Sequence, residues 1–119
     1  MTRLLFSVID EKCLDARISD TFTKTHYVVI IDINEKGETI GMQCIPRTTK
    51  HSEEWEYKAF YIEPKSILSY KPDIIVTREM GPHAVDIFRR SGIKVFITDE
   101  ETVSNALTAF KENRLKELY

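Results

Sequence analysis

The sequence predicts an α/β protein with a five-stranded mixed sheet, strand order 3-2-1-4-5, and helices on both faces. Two observations carry this prediction. Three strand-like runs come first with no helix between them, and two later apolar runs alternate with amphipathic stretches. The leading runs predict an antiparallel unit, and the later ones predict strands reached through right-handed helical crossovers. The first and fourth strands are therefore expected to be parallel neighbours.

The antiparallel unit is predicted from apolar and β-branched runs. The first strand, LLFSVI, covers residues 4–9, and the second, HYVVIIDI, covers residues 26–33. The third strand, TIGMQCI, covers residues 39–45. The intervening stretch NEKGE contains Asn34 and Gly37, which both tolerate positive φ, so it predicts the turn of a hairpin.

The second half of the chain predicts alternating helices and strands. Residues 46–57 are polar and unpatterned, as in a surface loop. Helical and strand-like patterns then follow in turn: a helix over 63–70, a strand over 74–77, a helix over 82–91, a strand over 94–98 and a final helix over 101–118. Gly92 is placed to end the helix before it.

The composition predicts the class of protein and its surroundings. With 119 residues, the chain is expected to form a single domain over residues 1–119. A formal net charge of −2 argues against general binding to nucleic acid or to a membrane surface, because both require excess positive charge. The N-terminal apolar run is too short for a signal peptide or a membrane span, so we expect a cytoplasmic protein. Cys13 and Cys44 are expected there as reduced thiols.

The predicted topology places a candidate binding site at one edge of the sheet. Ligands of α/β sheets prefer the crevice beyond the carboxyl ends of the strands. Three loops are expected at that edge: residues 10–17, 78–83 and 99–101. The free N–H groups at the start of the helix that follows Gly81 attract anions.

Three segments resemble the dinitrogenase iron–molybdenum cofactor biosynthesis family, the NifX-like domains. CLDARISDTF, residues 13–22, is similar to the family's L-D-S-R-V-S-x-x-F segment. REMGPHAVDIF, residues 78–88, is similar to its G-x-G-P-x-A stretch, and GIKVFITDEETVSNALTAF, residues 92–110, resembles the family's last strand and helix. The resemblance covers nearly the whole chain. It implies a three-layer ribonuclease-H-like fold and a non-catalytic protein that binds or carries iron–sulfur or iron–molybdenum cluster precursors, with protein partners in cofactor assembly.

The candidate ligand residues lie in the predicted edge loops. A thiolate and an imidazole suit iron or zinc, so the predicted metal ligands are Cys13, His83 and His51. Arg17 is expected to face an anionic ligand, because its planar guanidinium matches oxyanions. The full predicted ligand-binding set is Asp10, Cys13, Arg17, Gly81, Pro82 and His83.

Some of the candidate residues also have a structural interpretation, and two alternatives to a carrier stay open. Gly81 and Pro82 are explained by a tight turn and a helix start, and Cys44 by burial as an inert thiol. Asp10, Glu79 and Asp99 could instead hold divalent metals in a ribonuclease-H-like nuclease. A small interaction module with no ligand of its own is the third possibility.

Overall fold

The computed structural model describes residues 1–22, 27–46 and 67–118, which form one mixed sheet with helices packed on it. The strands follow the order β3-β2-β1-β4-β5-β6. Their bounds are Thr2–Val8 for β1, Tyr27–Ile33 for β2, Thr39–Pro46 for β3, Ile74–Thr77 for β4, Lys94–Ile97 for β5 and Lys116–Glu117 for β6. The α-helices are α1, Pro82–Arg90, and α2, Val103–Lys111, and two 3-10 turns are η1, Cys13–Asp15, and η2, Leu68–Tyr70.

The predicted order of the first five strands is confirmed. β1 pairs antiparallel with β2, which pairs antiparallel with β3. β1 pairs in parallel with β4, and β4 with β5. Four strands, β1, β3, β4 and β5, therefore run in the same direction and end at a common carboxyl edge. The opposite edge of the sheet is called the amino edge below.

The prediction of five strands and a final helix over residues 101–118 is wrong at its C-terminal end. α2 stops at Lys111, and Asn113 takes a left-handed conformation with φ 58. The N–H of Arg114 then donates to the carbonyl of Ala109, the contact that closes a helix C-terminus with a left-handed residue. The chain reverses there and adds β6 antiparallel to β5. The charged residues near the C-terminus continue a helical pattern that the backbone does not follow.

The sheet is covered on both faces, as predicted. Alternate residues of β1 point to opposite sides, so Leu4, Phe6 and Val8 share one core with α2, and Leu5 contributes to another with α1. The first core, called the α2-face cluster, includes Ala16, Ile18, Val29, Ile31, Val76, Val103 and Ala106. The second, the α1-face cluster, includes Phe22, Val28, Ile30, Ile67, Ile75, Ala84, Phe88 and Val95.

Helix α1 begins and ends close to the predicted residues. Pro82 occupies its first turn, where the missing N–H costs no hydrogen bond. After the helix, Gly92 takes a left-handed conformation with φ 78, as expected for a residue that follows a helix end. Of the predicted helix over 63–70, only residues 67–70 lie in the described part, and they end in η2.

A bidentate ion pair fixes the amino edge of the sheet. The Nε and Nη2 atoms of Arg3 on β1 donate to the two carboxylate oxygens of Asp32 on β2, at 2.8 and 3.1 Å. Nη1 of Arg3 also donates to the carbonyl of Tyr70 at 2.8 Å. The hydrogen bond to Asp32 is the main reason that the pKa of Arg3 is raised above its ordinary value. Arg3 therefore joins β1, β2 and η2 as a permanent cation.

None of the described helices is both long and apolar enough to span a membrane. The assignment to a ribonuclease-H-like fold and the extent of the domain, residues 1–119, stay predictions.

Candidate functional site

The carboxyl edge brings together the three loops that the sequence predicts there. The first follows β1, the second joins β4 to α1 and the third joins β5 to α2. The amino end of β2 and the carboxyl end of β3 reach the same edge, because Tyr27 pairs with both Val8 and Pro46. The predicted ligand residues in these three loops therefore all lie at this edge.

The loop after β1 is closed by its own hydrogen bonds. The N–H of Ile9 donates to the carbonyl of Arg17 at 2.9 Å. Inside the loop, the carboxylate of Asp10 accepts from the backbone N–H of Lys12 at 2.9 Å and from that of Arg17 at 3.2 Å. Both oxygens of Asp10 thus hold the loop, which is a structural role that the sequence pattern did not reveal.

A short segment, Arg17 to Phe22, crosses the edge and links the other two loops. The N–H of Ile18 donates to the carbonyl of Glu101 at 2.8 Å, and the N–H of Phe22 donates to that of Glu79 at 2.8 Å. Phe22 is fully buried in the α1-face cluster, where its ring meets Phe88 edge-on with centroids 5.4 Å apart. We call this segment the edge segment. It corresponds to the RISDTF part of the family-like sequence and positions all three loops through backbone contacts.

The start of α1 presents an open helix N-terminus at this edge. Gly81 is the N-cap residue, with no side chain to accept a hydrogen bond, and the first intrahelical bond runs from Val85 to its carbonyl. Within the described residues, nothing accepts a hydrogen bond from the N–H groups of His83 and Ala84. Gly81, Pro82 and His83 are all exposed. Unpartnered N–H groups at a helix start carry partial positive charge and favour an anion.

The interpretation of Gly81 as a residue required by a tight turn is wrong. Its φ of −72 and ψ of 161 are open to any residue, and an added Cβ would meet no atom within 4 Å. The structure therefore explains Pro82 by its helix position but gives no backbone reason for a glycine at position 81.

Two arginines at this edge have guanidinium groups with no partner among the described residues. Arg17 lies at the start of the edge segment, and Arg78 lies in the loop before α1. Within residues 1–22, 27–46 and 67–118, neither guanidinium makes an ion pair or a hydrogen bond. Every other arginine in those ranges pairs with a carboxylate: Arg3, Arg89, Arg90 and Arg114. Of the two, only Arg17 was predicted as a ligand residue, although the predicted edge loop over residues 78–83 begins at Arg78.

The two cysteines form a disulfide, so the expectation of two reduced thiols is wrong for this structure. Cys13 lies on η1, and Cys44 lies near the carboxyl end of β3, with 5.6 Å between their Cα atoms. The interpretation of Cys44 as an inert buried thiol is also wrong. The two cysteines are 31 residues apart, so the sequence gives no indication of this pairing. They come together because the carboxyl end of β3 reaches the same edge as the loop after β1.

The structure does not group the predicted metal ligands. Cys13 lies beside Cys44, and its turn contacts α2, whereas His83 begins the helix on the opposite face of the sheet. His51 and the rest of the polar loop after Pro46 lie outside the described residues. No cluster of three or more His, Cys, Asp or Glu side chains suited to a metal ion occurs in the part that the structure describes. A metal site formed by Cys13, His83 and His51 thus stays a prediction.

The nuclease alternative gains no support from the described residues. Asp10 uses its carboxylate to hold the first loop, and Glu79 and Asp99 are exposed. These three acids do not form a group that could hold a metal ion. Their positions match turn residues at strand ends.

The fold defines an α/β protein whose mixed sheet carries three loops at its carboxyl edge. The chain belongs to the family described as dinitrogenase iron-molybdenum cofactor, whose model matches residues 3–113.

Solved structures support this fold. The NMR structure of a Thermotoga protein of the DUF35 family, proposed as NifB, has 26% identity and a TM-score of 0.73, covering 99% of this chain and 94% of its own. The apo form of the orange protein from Desulfovibrio gigas has 18% identity and a TM-score of 0.73, covering 98% of this chain and 92% of its own. A Methanocaldococcus jannaschii protein proposed as a dinitrogenase has 17% identity and a TM-score of 0.72, covering 98% and 93%. No curated protein sequence matches the chain.

Proposed function

We propose that this protein binds and carries a metallocluster, or an anionic precursor of one, in iron–molybdenum cofactor biosynthesis, and that it catalyses no reaction. The family supplies the class of ligand, and the carboxyl edge supplies a place to hold it. The carrier acts in the cytoplasm, transfers its cargo to protein partners in cofactor assembly and binds neither nucleic acid nor membrane.

The observation that carries this proposal is the unpaired state of Arg17 and Arg78. An exposed guanidinium with a carboxylate nearby pairs with it readily, as Arg90 does with Asp86 at 3.1 Å. At the carboxyl edge, Arg17 is exposed and Arg78 partly exposed, and among the described residues neither guanidinium has such a partner, which leaves both for an external anion. An anionic cluster or thio-anion would gain charge-assisted hydrogen bonds from them.

The helix start adds a second source of positive potential. The N–H groups of His83 and Ala84 point out of the first turn of α1, where the helix dipole favours negative charge. The imidazole of His83 is exposed beside them and supplies a candidate metal ligand in its neutral form. Gly81, without a side chain, leaves this approach open. Asp10 contributes by holding the loop that carries Arg17.

The test is anaerobic reconstitution in a reducing buffer. Wild-type protein is mixed with ferrous iron and sulfide, with and without molybdate, and is then separated from free reagents. Metal and sulfide analysis and visible absorption report the bound cluster. Because each charge-assisted hydrogen bond is worth about 1.5–3 kcal/mol, the Arg17→Gln and Arg78→Gln variants should each lose at least roughly tenfold in affinity.

Arg90→Gln is the matched control. It removes one exposed guanidinium at the amino edge, far from the loops, so it should reconstitute like wild type. Absence of bound metal and sulfide in wild type would contradict the carrier proposal, and equal uptake in the arginine variants would exclude these arginines as its site. Cleavage of labelled RNA or DNA with Mn²⁺ that disappears in Asp10→Asn would favour the nuclease instead. A stable complex with another chain, together with negative binding and cleavage assays, would favour an interaction module.

A further inference from the structure

The two cysteines are brought together from distant parts of the sequence at the carboxyl edge. Cys13 lies in the loop after β1 and Cys44 on β3, with 5.6 Å between their Cα atoms. Both side chains are only partly buried. Two cysteines whose Cα atoms are this close can either form a disulfide or bind one metal ion through both sulfurs.

Each cysteine is held in place by contacts that do not involve sulfur. The turn that carries Cys13 is fixed by the carboxylate of Asp10 and by the bond from the N–H of Val103 to the carbonyl of Ala16. Cys44 sits in the β2–β3 ladder opposite Val29. Because both backbones are anchored independently, the two sulfurs stay close when the bond between them is broken.

The turn also holds Cys13 in an uncommon conformation. Its φ of 55 lies in the left-handed region that residues with a Cβ seldom occupy. A residue with a Cβ keeps this conformation only where the surrounding structure holds it there. Such conformations occur at ligand sites as well as in turns. The loop therefore places the Cys13 sulfur opposite Cys44 at a conformational cost.

We propose that Cys13 and Cys44 form a reversible dithiol–disulfide pair, and that the reduced pair binds one thiophilic metal ion, such as Zn²⁺, through both sulfurs. In the disulfide form, the sulfurs bond to each other and cannot act as thiolate ligands. This site uses different side chains from the anion site of Arg17 and Arg78, and the two can be tested separately.

The chemical step is thiol–disulfide exchange with a small dithiol or monothiol reductant. One thiolate of the reductant attacks a sulfur of the pair, a mixed disulfide forms, and a second thiol resolves it. The protein gains two electrons and two protons and becomes a dithiol, and the reductant leaves as its own disulfide. Zn²⁺ then displaces the two thiol protons when it binds.

The reduced pair forms an open site. Two thiolates fill two of the four positions that Zn²⁺ prefers. In the described part of the chain, no third His, Cys, Asp or Glu side chain joins them. As far as the described residues show, the remaining positions are open to water or an exchangeable external ligand, which suits a metal that is passed on.

The experiment compares the same protein in two oxidation states. The chain is reduced with dithiothreitol and freed of reductant without oxygen. The thiols of one aliquot are counted with a chromogenic disulfide, and a second aliquot is kept for metal binding. It is then titrated with Zn²⁺ against a chromogenic chelator and with Co²⁺, which gives a sulfur-to-metal absorption band. We expect two thiols and one metal ion per reduced chain, and no thiols and no sulfur-to-metal band in the oxidised chain.

Four variants and one chemical control separate the outcomes. Cys13→Ser, Cys44→Ser and the double variant should each lose the Co²⁺ band, and Arg17→Gln should keep it. Alkylation of the reduced wild-type thiols with iodoacetamide should also abolish binding, which tests the site without relying on a variant to fold. Circular dichroism checks that each sample is folded.

Three results would overturn the proposal. The first is a disulfide that is reduced only when the chain unfolds, which would make it a permanent cross-link. The second is a reduced chain that binds no metal. The third is equal metal binding by the oxidised and reduced chains, which would place the ion elsewhere. Loss of cluster uptake in the arginine variants with an intact Co²⁺ band would support both sites as separate features.

Discussion

Ser7 and Thr77 face each other beneath the carboxyl edge, with 3.2 Å between Oγ of Ser7 and Oγ1 of Thr77. Both side chains are fully buried. Oγ1 of Thr77 also donates to the carbonyl of Glu79 at 3.5 Å, whereas the hydroxyl of Ser7 depends on Thr77 for its hydrogen bond. Ser7 lies near the end of β1 and Thr77 at the end of β4, the two central parallel strands. This contact joins the strands from which two of the edge loops begin.

The first prediction concerns this pair. Thr77→Val should lower the free energy of unfolding by about 1–3 kcal/mol, because the hydroxyl of Ser7 is left buried without its partner. Adding Ser7→Ala should recover part of that loss, since the double variant buries no unpaired hydroxyl. Urea unfolding of both single variants and the double variant measures the coupling. Strictly additive losses would show that the two hydroxyls act independently.

The second prediction concerns Arg3 at the amino edge. Arg3→Met should lower the free energy of unfolding by about 2 kcal/mol, because it leaves the carboxylate of Asp32 and the carbonyl of Tyr70 without a donor. Arg90→Met is the control, since the pair of Arg90 with Asp86 is exposed and worth about 0–1 kcal/mol. Chemical denaturation of the two variants compares them directly. A loss no larger for Arg3→Met than for Arg90→Met would contradict the assigned role of Arg3.

The third prediction compares two glycines on either side of α1. Gly92→Ser should cost about 1–2 kcal/mol, because φ at position 92 is 78. Gly81→Ser should be neutral or stabilising by about 0.5 kcal/mol, because its backbone is extended, its surroundings are open and serine is a good N-cap. Thermal unfolding distinguishes the two.

The same Gly81→Ser variant also tests why glycine stands there. If it keeps its stability but loses cluster uptake, the glycine serves ligand approach and not the turn. A large loss of stability would instead show that position 81 needs a glycine for the fold.

The fourth prediction concerns the cross-link between Cys13 and Cys44. Closing a loop of 31 residues restricts the unfolded chain, so reduction should lower the free energy of unfolding by about 3–4 kcal/mol. The Cys13→Ser, Cys44→Ser double variant should match the reduced wild type, and added dithiothreitol should not affect it further. Urea unfolding with and without reductant measures the difference. Identical curves for the oxidised and reduced wild type would show that the bond adds no stability.

The sequence patterns predicted the parts of the fold that follow from periodicity. The apolar and β-branched runs of β1 to β3, and the alternation of helical and strand-like patterns after them, were sufficient for the order of five strands. They failed at Asn113, because a helical pattern of charged residues cannot show where the backbone turns left-handed. The missed strand β6 is only two residues long and has no apolar signature.

The location of the three loops was predicted better than the contacts among their residues. Strand direction alone places the three loops at one edge, and this is why Arg17 and His83 were identified. The roles of Asp10 and Cys44 depend on which groups meet in space. Asp10 binds backbone N–H groups that are two and seven residues away, and Cys44 meets a residue 31 positions away. Such pairings leave no periodic trace in a single sequence.

The edge segment has one further consequence. It joins the loops through main-chain atoms: the N–H of Ile18 with Glu101, and the N–H of Phe22 with Glu79. The exposed side chains along it, such as Arg17 and Asp20, take no part in these joints. Substitutions at these two positions should therefore change the charge that the edge presents while leaving its main-chain frame intact.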